Sequence, residues 1–328
     1  MPVRAPVGEF ELIDRYFREL GARRPDVVLG VGDDAAVLAL ATGKQLLAAT
    51  DTLVEGVHFP TGSAPRSIGH RALAVNLSDL AAMGATPAWA TLALTMPAPD
   101  PQWLQEFAAG FDELARRNDV ALVGGDTTSG PLSISVTLLG LCDGGAYLAR
   151  AGAAPGDHLF VSGTVGDAAA GLAILESRLA GGSLESRALL RHRFLFPEAR
   201  IELGGRLVRI ASAAIDVSDG LAADAEKLAR ASGCGARIDA GELPLSAALL
   251  DCAGLEAARA FAIGGGDDYE ICFTVPAERL TSLADCVPVV RWPYRRIGVL
   301  NESGQFEYHA GAASYAPARK GYQHFLRR

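Results

Sequence analysis

Residues 74–87, AVNLSDLAAMGATP, decide how this chain is read. Leu73, Leu77, Leu80 and Ala81 recur at helical spacing, which predicts a helix. Asn76 and Asp79 stand three residues apart and share its other face. A carboxylate among so many apolar side chains needs a partner, because an unpaired buried charge is costly. No lysine lies nearby, and the nearest arginine, Arg71, is about two turns back. From this stretch alone two readings stay open. Asp79 satisfies itself locally or faces water, or it meets a cation from outside the chain.

Length and composition bound the answer. The chain has 328 residues, enough for roughly two domains, and 49% of them are hydrophobic. The formal net charge is -8 and no basic cluster is present, which speaks against nucleic acid as a partner. Cys142, Cys234, Cys252, Cys272 and Cys286 are odd in number and lack metal-ligand spacing. They predict reduced thiols and a cytoplasmic protein. The N-terminus has no apolar signal core. The uncharged run over residues 80–99 is broken by Gly84, Pro87, Pro97 and Pro99. It predicts a helix end, a turn and a strand rather than a membrane span.

Along the chain, one pattern returns. A short apolar strand runs, through glycine or threonine, into aspartate: Asp33/Asp34, Asp51, Asp126, Asp216/Asp219 and Asp267/Asp268. Strands are predicted over residues 27–29, 36–40, 46–49, 89–95, 120–123, 133–142, 158–162, 213–215, 261–263 and 271–275, with terminal strands over 296–300 and 305–308. Helices are predicted over residues 9–20, 101–118, 168–179, 203–210 and 221–232. Asp167 falls near the start of the third of these, and Asp219 is placed to cap the last. Gly and Pro content rises over residues 149–157, which predicts a domain boundary dividing 1–150 from 151–328.

With Asp79 the acidic elements number six, each beside small residues and none with a lysine close in sequence. If they converge, their repulsion must be neutralised. Oxygen-only ligands select Mg²⁺ or a similar hard cation, and no Cys/His set suits zinc. Mg²⁺ binds substrate phosphates, so the matching partner is a phosphorylated nucleotide. No GxxxxGK[ST] loop, kinase HRD or DFG set, GxSxG elbow or HExxH helix is present. The start of GxGxxA at residues 30–35 is rejected as a dinucleotide fingerprint, because two aspartates occupy the pyrophosphate position.

Eight stretches together resemble the thiamine-monophosphate kinase family: GVGDDAAVL, TDTLVEGVHF, ALAVNLSDLAAMGATPAWATLAL, GGDTTSGPLS, SGTVGDAAAGLAIL, AIDVSDGLAAD, GGGDDYEICFTV and KGYQHF. They run from residue 30 to 325. The resemblance implies an α/β, two-domain fold like that of aminoimidazole ribonucleotide synthetase. An N-terminal sheet domain would dimerise, and a C-terminal α/β domain would complete the substrate site. It implies ATP-dependent phosphorylation of thiamine monophosphate to thiamine diphosphate in a homodimer, by direct in-line transfer without a covalent catalytic residue. By motif, Asp34, Thr50, Asp51, Asp79, Asp126 and Asp216 would ligate several Mg²⁺ ions, with Asp219 holding a further one. Gly125, Asp126, Arg150 and Ser218 would contact ATP. His58, Asp267 and Tyr322 would contact the thiamine phosphate. The chain departs from the family at Asp267, where Glu is usual, and at Ala49, where Ser or Thr is frequent. Other ATP-using relatives fit less well: the first cysteine is Cys142, and the sequence ends Phe-Leu-Arg-Arg. A catalytically silent nucleotide-binding protein would have no use for so many carboxylates.

Overall fold

A computed structural model describes residues 9–318 and 321–322. The chain divides into two compact units, Met1–Leu80 with Thr86–Gly145, and Ala81–Ala85 with Ala146–Arg328.

In the first unit, α1 (Glu9–Leu12) passes into one π-helical stretch, Ile13–Phe17. The strands β1 (Val27–Leu29) and β2 (Val37–Leu38) pair with each other. Then come β3 (Lys44–Val54), α2 (Pro65–Ala82), β4 (Thr86–Met96), α3 (Pro101–Arg117), β5 (Ala121–Ser129) and β6 (Ser133–Asp143). The four long strands form one sheet in the order β3-β6-β4-β5, antiparallel except for the β4–β5 pair.

Strand alternation gives this sheet two different faces. Ile134, Val136 and Leu138 of β6 are buried, with Leu92 and Leu94 of β4 beside them. The intervening residues carry hydroxyls: Thr50 pairs with Thr137 at 2.8 Å, Thr52 with Ser135 at 2.7 Å and Thr95 with Thr128 at 3.0 Å. The β1–β2 pair covers only the Trp89 end of that second face, where Val27 and Leu38 pack on Trp89 and Leu139.

The helix α2 covers the first face. Every residue from 67 to 78 is buried, so the polar side expected from the sequence is not a water-facing side. A helix enclosed all round is held by neighbours rather than by amphipathicity. Close approach to α3 depends on two glycines. A Cβ on Gly69 would lie 2.0 Å from the Phe107 carbonyl oxygen, and one on Gly110 would lie 2.0 Å from that of Arg66.

The second unit holds β7 (His158–Ser162), α4 (Asp167–Leu175), α5 (Leu184–Leu195), α6 (Ile201–Leu207), β8 (Ala213–Asp216), α7 (Leu221–Ala231), β9 (Gly235–Asp239), α8 (Ala247–Gly264), β10 (Ile271–Val275), α9 (Leu280–Cys286), β11 (Tyr294–Asn301), β12 (Phe306–Ala310) and β13 (Ala313–Ser314). Its seven-stranded sheet runs β13-β12-β9-β11-β7-β10-β8, with only β12–β9 parallel. Both faces are buried. Leu159, Val161, Ile215 and Cys272 join a core with α7. The alternate residues Phe160, Ala214, Ile271 and Phe273 join another core with α6 and α9. Two covered faces explain why these strands read as continuous apolar runs.

Several expectations need correction. Residues 261–263 are the end of α8, not a strand. The strands β3 and β5 are longer than read, so Asp51 and Asp126 lie inside strands rather than in turns after them. The β-branched residues after each aspartate, Thr52, Val54, Thr127 and Thr128, sustain extended backbone. The helix α7 begins after Gly220 without a side-chain cap from Asp219.

Candidate active site

In the first unit, α2 and β3 are joined at one polar point. The Asn76 side-chain oxygen accepts the Asp51 backbone N–H at 3.1 Å, and the Asn76 amide donates to the Ala72 carbonyl at 3.2 Å. Asn76 is wholly buried. Asp79 stands about one turn further along α2. Asp51 and Asp79 are both half-buried, and both belong to the helix-covered side of the sheet.

Thr50 and Asp126 belong to the other side. Thr50 bonds Thr137 there, and Asp126 lies two residues before Thr128, which bonds Thr95 on the same face. Thr52, Ser135, Ala93 and Asp126 form one row across the sheet. Three strand spacings separate its ends, or about 14 Å. Within one chain Asp126 and Thr50 therefore sit on opposite edge strands. Gly125 has φ 153°, and a Cβ there would lie 1.9 Å from the Leu92 carbonyl oxygen, so only glycine fits. Asp34 is exposed, and its backbone N–H donates to Asp33.

His58 closes the turn after β3. Its Nδ1 accepts the Val54 backbone N–H at 3.0 Å. With that nitrogen as acceptor, the proton of a neutral imidazole sits on Nε2, the donor end of the ring.

The second unit draws five of the expected residues into one loop cluster. Asp216 ends β8 and is 4% exposed. The Asp267 N–H donates to the Ser218 carbonyl at 2.9 Å, and the Tyr269 N–H to the Val217 carbonyl at 2.9 Å. The Tyr322 N–H donates to the Asp219 carbonyl, also at 2.9 Å. Ser218, Asp219, Asp267 and Tyr322 are thus connected by backbone bonds, and Asp216 pairs with Ile271 at the adjoining strand end. The rest of KGYQHF, apart from Gly321, lies outside the described residues. Arg150 is exposed, and its carbonyl accepts the Ser232 hydroxyl at 3.3 Å.

Three supporting residues, Asp224, Lys227 and Glu270, were not singled out from sequence, and Asp268 was read only as part of the acidic pattern. Asp224, in the first turn of α7, accepts the N–H groups of Ser218, Asp219 and Gly220 at 3.0–3.1 Å on one oxygen. Burial pushes the Asp224 carboxyl up, and the Lys227 ammonium at 2.8 Å opposes that shift. Lys227 also pairs with Asp219, so this acidic element does have a lysine partner. Asp268 is buried and accepts the Gly166 and Ala168 N–H groups at the start of α4, at 2.7 and 3.3 Å. Burial pushes its carboxyl well above the usual range.

Glu270 is wholly buried and takes a two-point bond from Arg200 at 2.5 and 2.7 Å, with Arg193 at 2.9 Å and the Ser162 hydroxyl at 2.6 Å. Burial works to raise its pKa, but Arg200 and Arg193 outweigh that and lower it. The doubled acids of GGGDDYE were the one sequence signal for Asp268 and Glu270. Asp224 had no signal beyond an acid in a first helical turn.

Among the described residues, no group of three or more His, Cys, Asp or Glu is placed to hold a metal ion, and no helix is long and apolar enough to cross a membrane.

Comparison with known proteins fits this frame. Residues 32–142 match the family model of the AIR synthase related protein N-terminal domain, and residues 154–308 match that of the C-terminal domain. The thiamine-monophosphate kinase of Salmonella typhimurium is 45% identical over 97% of this chain and 98% of its own length. The crystal structure of thiamine-monophosphate kinase from Stenotrophomonas maltophilia K279a superposes with a TM-score of 0.82 at 45% identity, covering 89% of this chain and 93% of that one. A structure described as AaThiL complexed with AMPPCP and TMP superposes at 0.77 with 33% identity, covering 88% and 89%. The chain belongs to the thiamine-monophosphate kinase family.

Proposed function

We propose that this chain transfers the γ-phosphoryl group of ATP to the phosphate of thiamine monophosphate, giving ADP and thiamine diphosphate. The supporting observation is the loop cluster of the second unit. Candidate ATP-side residues (Ser218, Asp219) and candidate acceptor-side residues (Asp267, Tyr322) are joined there by main-chain hydrogen bonds, with Asp216 at the end of the adjoining strand. A relative whose structure is described as complexed with AMPPCP and TMP supports the same pair of ligands.

The attacking oxygen belongs to a phosphate already ionised near neutral pH, so no general base is needed. The side chains position the reactants. His58 offers its Nε2–H to the acceptor, Asp267 and Tyr322 hold the thiamine phosphate, and Gly125, Arg150 and Ser218 hold ATP. The Gly125 backbone admits no side chain because β4 lies against it, and its N–H is the contact we assign to phosphate.

The donors offered by Asp34, Thr50, Asp51, Asp79, Asp126 and Asp216 are all oxygen, which fits Mg²⁺. Mg²⁺ characteristically takes one or two carboxylates together with substrate phosphates, so small carboxylate groups suit it. Bound ions would neutralise the charge on the transferring phosphoryl group. An ion at Asp219 competes with Lys227.

The active form we infer is a homodimer. Thr50 and Asp126 lie on one open face but on opposite edge strands of the first unit's sheet. A two-fold partner that sets its β5 edge beside β3 brings the partner's Asp126 toward Thr50. Five free thiols, four of them buried, support a cytoplasmic location. Incubation with Mg-ATP and thiamine monophosphate tests the proposal. Thiamine diphosphate is the expected product. Free phosphate with no thiamine diphosphate would instead mark another ATP-using activity.

A further inference from the structure

We propose that Tyr269 is a positioning residue that fixes the direction of the Asp267 carboxylate and thereby sets the affinity for the phosphate acceptor; the proposal rests on the functional reading above. The Tyr269 hydroxyl donates to Asp267 Oδ1 at 3.0 Å. Both residues have left-handed backbone, with φ of 69° at Asp267 and 52° at Tyr269. Residues with side chains seldom adopt this region. The surrounding loop holds both in place. Their N–H groups bond the carbonyls of Ser218 and Val217. Between them Asp268 bonds the start of α4, and just beyond them Glu270 bonds two arginines.

Contacts at each residue from 267 to 270 thus hold this loop. Within it the tyrosine hydroxyl holds one Asp267 carboxylate oxygen in a set direction. Tyr269 is 6% exposed, so the hydroxyl is itself immobilised by packing. A carboxylate with one fixed direction matches the positive thiazolium end of thiamine monophosphate better than its phosphate, and it has no counterpart in ATP. Loss of the hydroxyl therefore weakens acceptor binding and leaves ATP binding alone.

The test is Tyr269→Phe, which keeps the ring and its packing. Its KM for thiamine monophosphate is expected to rise about 3- to 10-fold, with kcat and the KM for ATP within about twofold of wild type. In an Asp267→Ala background the same change is expected to add nothing, because the group it orients is gone. An unchanged acceptor KM, an effect fully additive with Asp267→Ala, or a joint loss of kcat, both KM values and melting temperature would overturn the proposal. A wild-type chain that forms no thiamine diphosphate overturns the functional reading and the proposal together, an outcome distinct from an active enzyme indifferent to Tyr269→Phe.

Discussion

The backbone N–H of Asp267 donates to the carbonyl oxygen of Ser218 across 2.9 Å. Two motifs about 50 residues apart in sequence thereby become one loop cluster. Gly266 permits the contact, since a Cβ there would lie 2.3 Å from the Ser218 oxygen. Gly266→Ala should force the loops apart. The expected result is a rise in KM for both substrates and a loss of kcat/KM of about tenfold or more, measured by steady-state kinetics. Kinetics like wild type would show that the contact is not needed.

Glu270 should govern acid stability. Its folded pKa is lowered from the ordinary glutamate value by Arg200 and Arg193 against the opposing effect of burial. A depressed carboxylate contributes stability above its unfolded pKa, and that contribution is lost as pH falls through the folded value. Glu270→Gln is therefore expected to destabilise by about 3 kcal/mol at neutral pH, by breaking a buried ion pair. The gap to wild type should close below about pH 4.5. Thermal unfolding of both proteins across that range checks the sign.

Asn76→Ala removes the buried acceptor of the Asp51 N–H. The expected cost is about 1–3 kcal/mol. Turnover should also fall, because β3 carries Asp51 past the same point. Denaturant unfolding and kinetics on one preparation separate the two effects.

A shared site between subunits makes a sharper prediction. Asp51→Asn and Asp126→Asn should each abolish turnover while leaving the fold intact. Co-expressed, they form heterodimers in which one of the two sites has neither substitution. Random assembly then restores about a quarter of wild-type activity. No recovery would place both carboxylates in one subunit's site.

The sequence marked candidate residues more readily than it placed them. GGDT and TDT pointed to Asp126 and Asp51 as candidates, yet both were read as turn residues and lie mid-strand. Short apolar runs before an aspartate do not reveal where pairing ends, because the partner strands, β6 for Asp51 and β4 for Asp126, determine that. The run Phe261-Ala262-Ile263 before a glycine triplet fits a strand or a helix end equally well, and only its packing in α8 decides. The helix α5 and the strand β9 were not read at all. Asp219 looked like a cap, while Asp224 from within the helix performs that role for the turn. Supports of this kind depend on which groups burial leaves without water, and spacing does not encode that.

The central claim is that the phosphoryl group passes directly from ATP to the phosphate of thiamine monophosphate. ATP labelled in its γ-phosphate tests it most directly, with thiamine diphosphate and the protein both recovered. All transferred label is expected in the terminal phosphate of thiamine diphosphate and none on the chain. Label retained on the protein, or released only as inorganic phosphate, would contradict it.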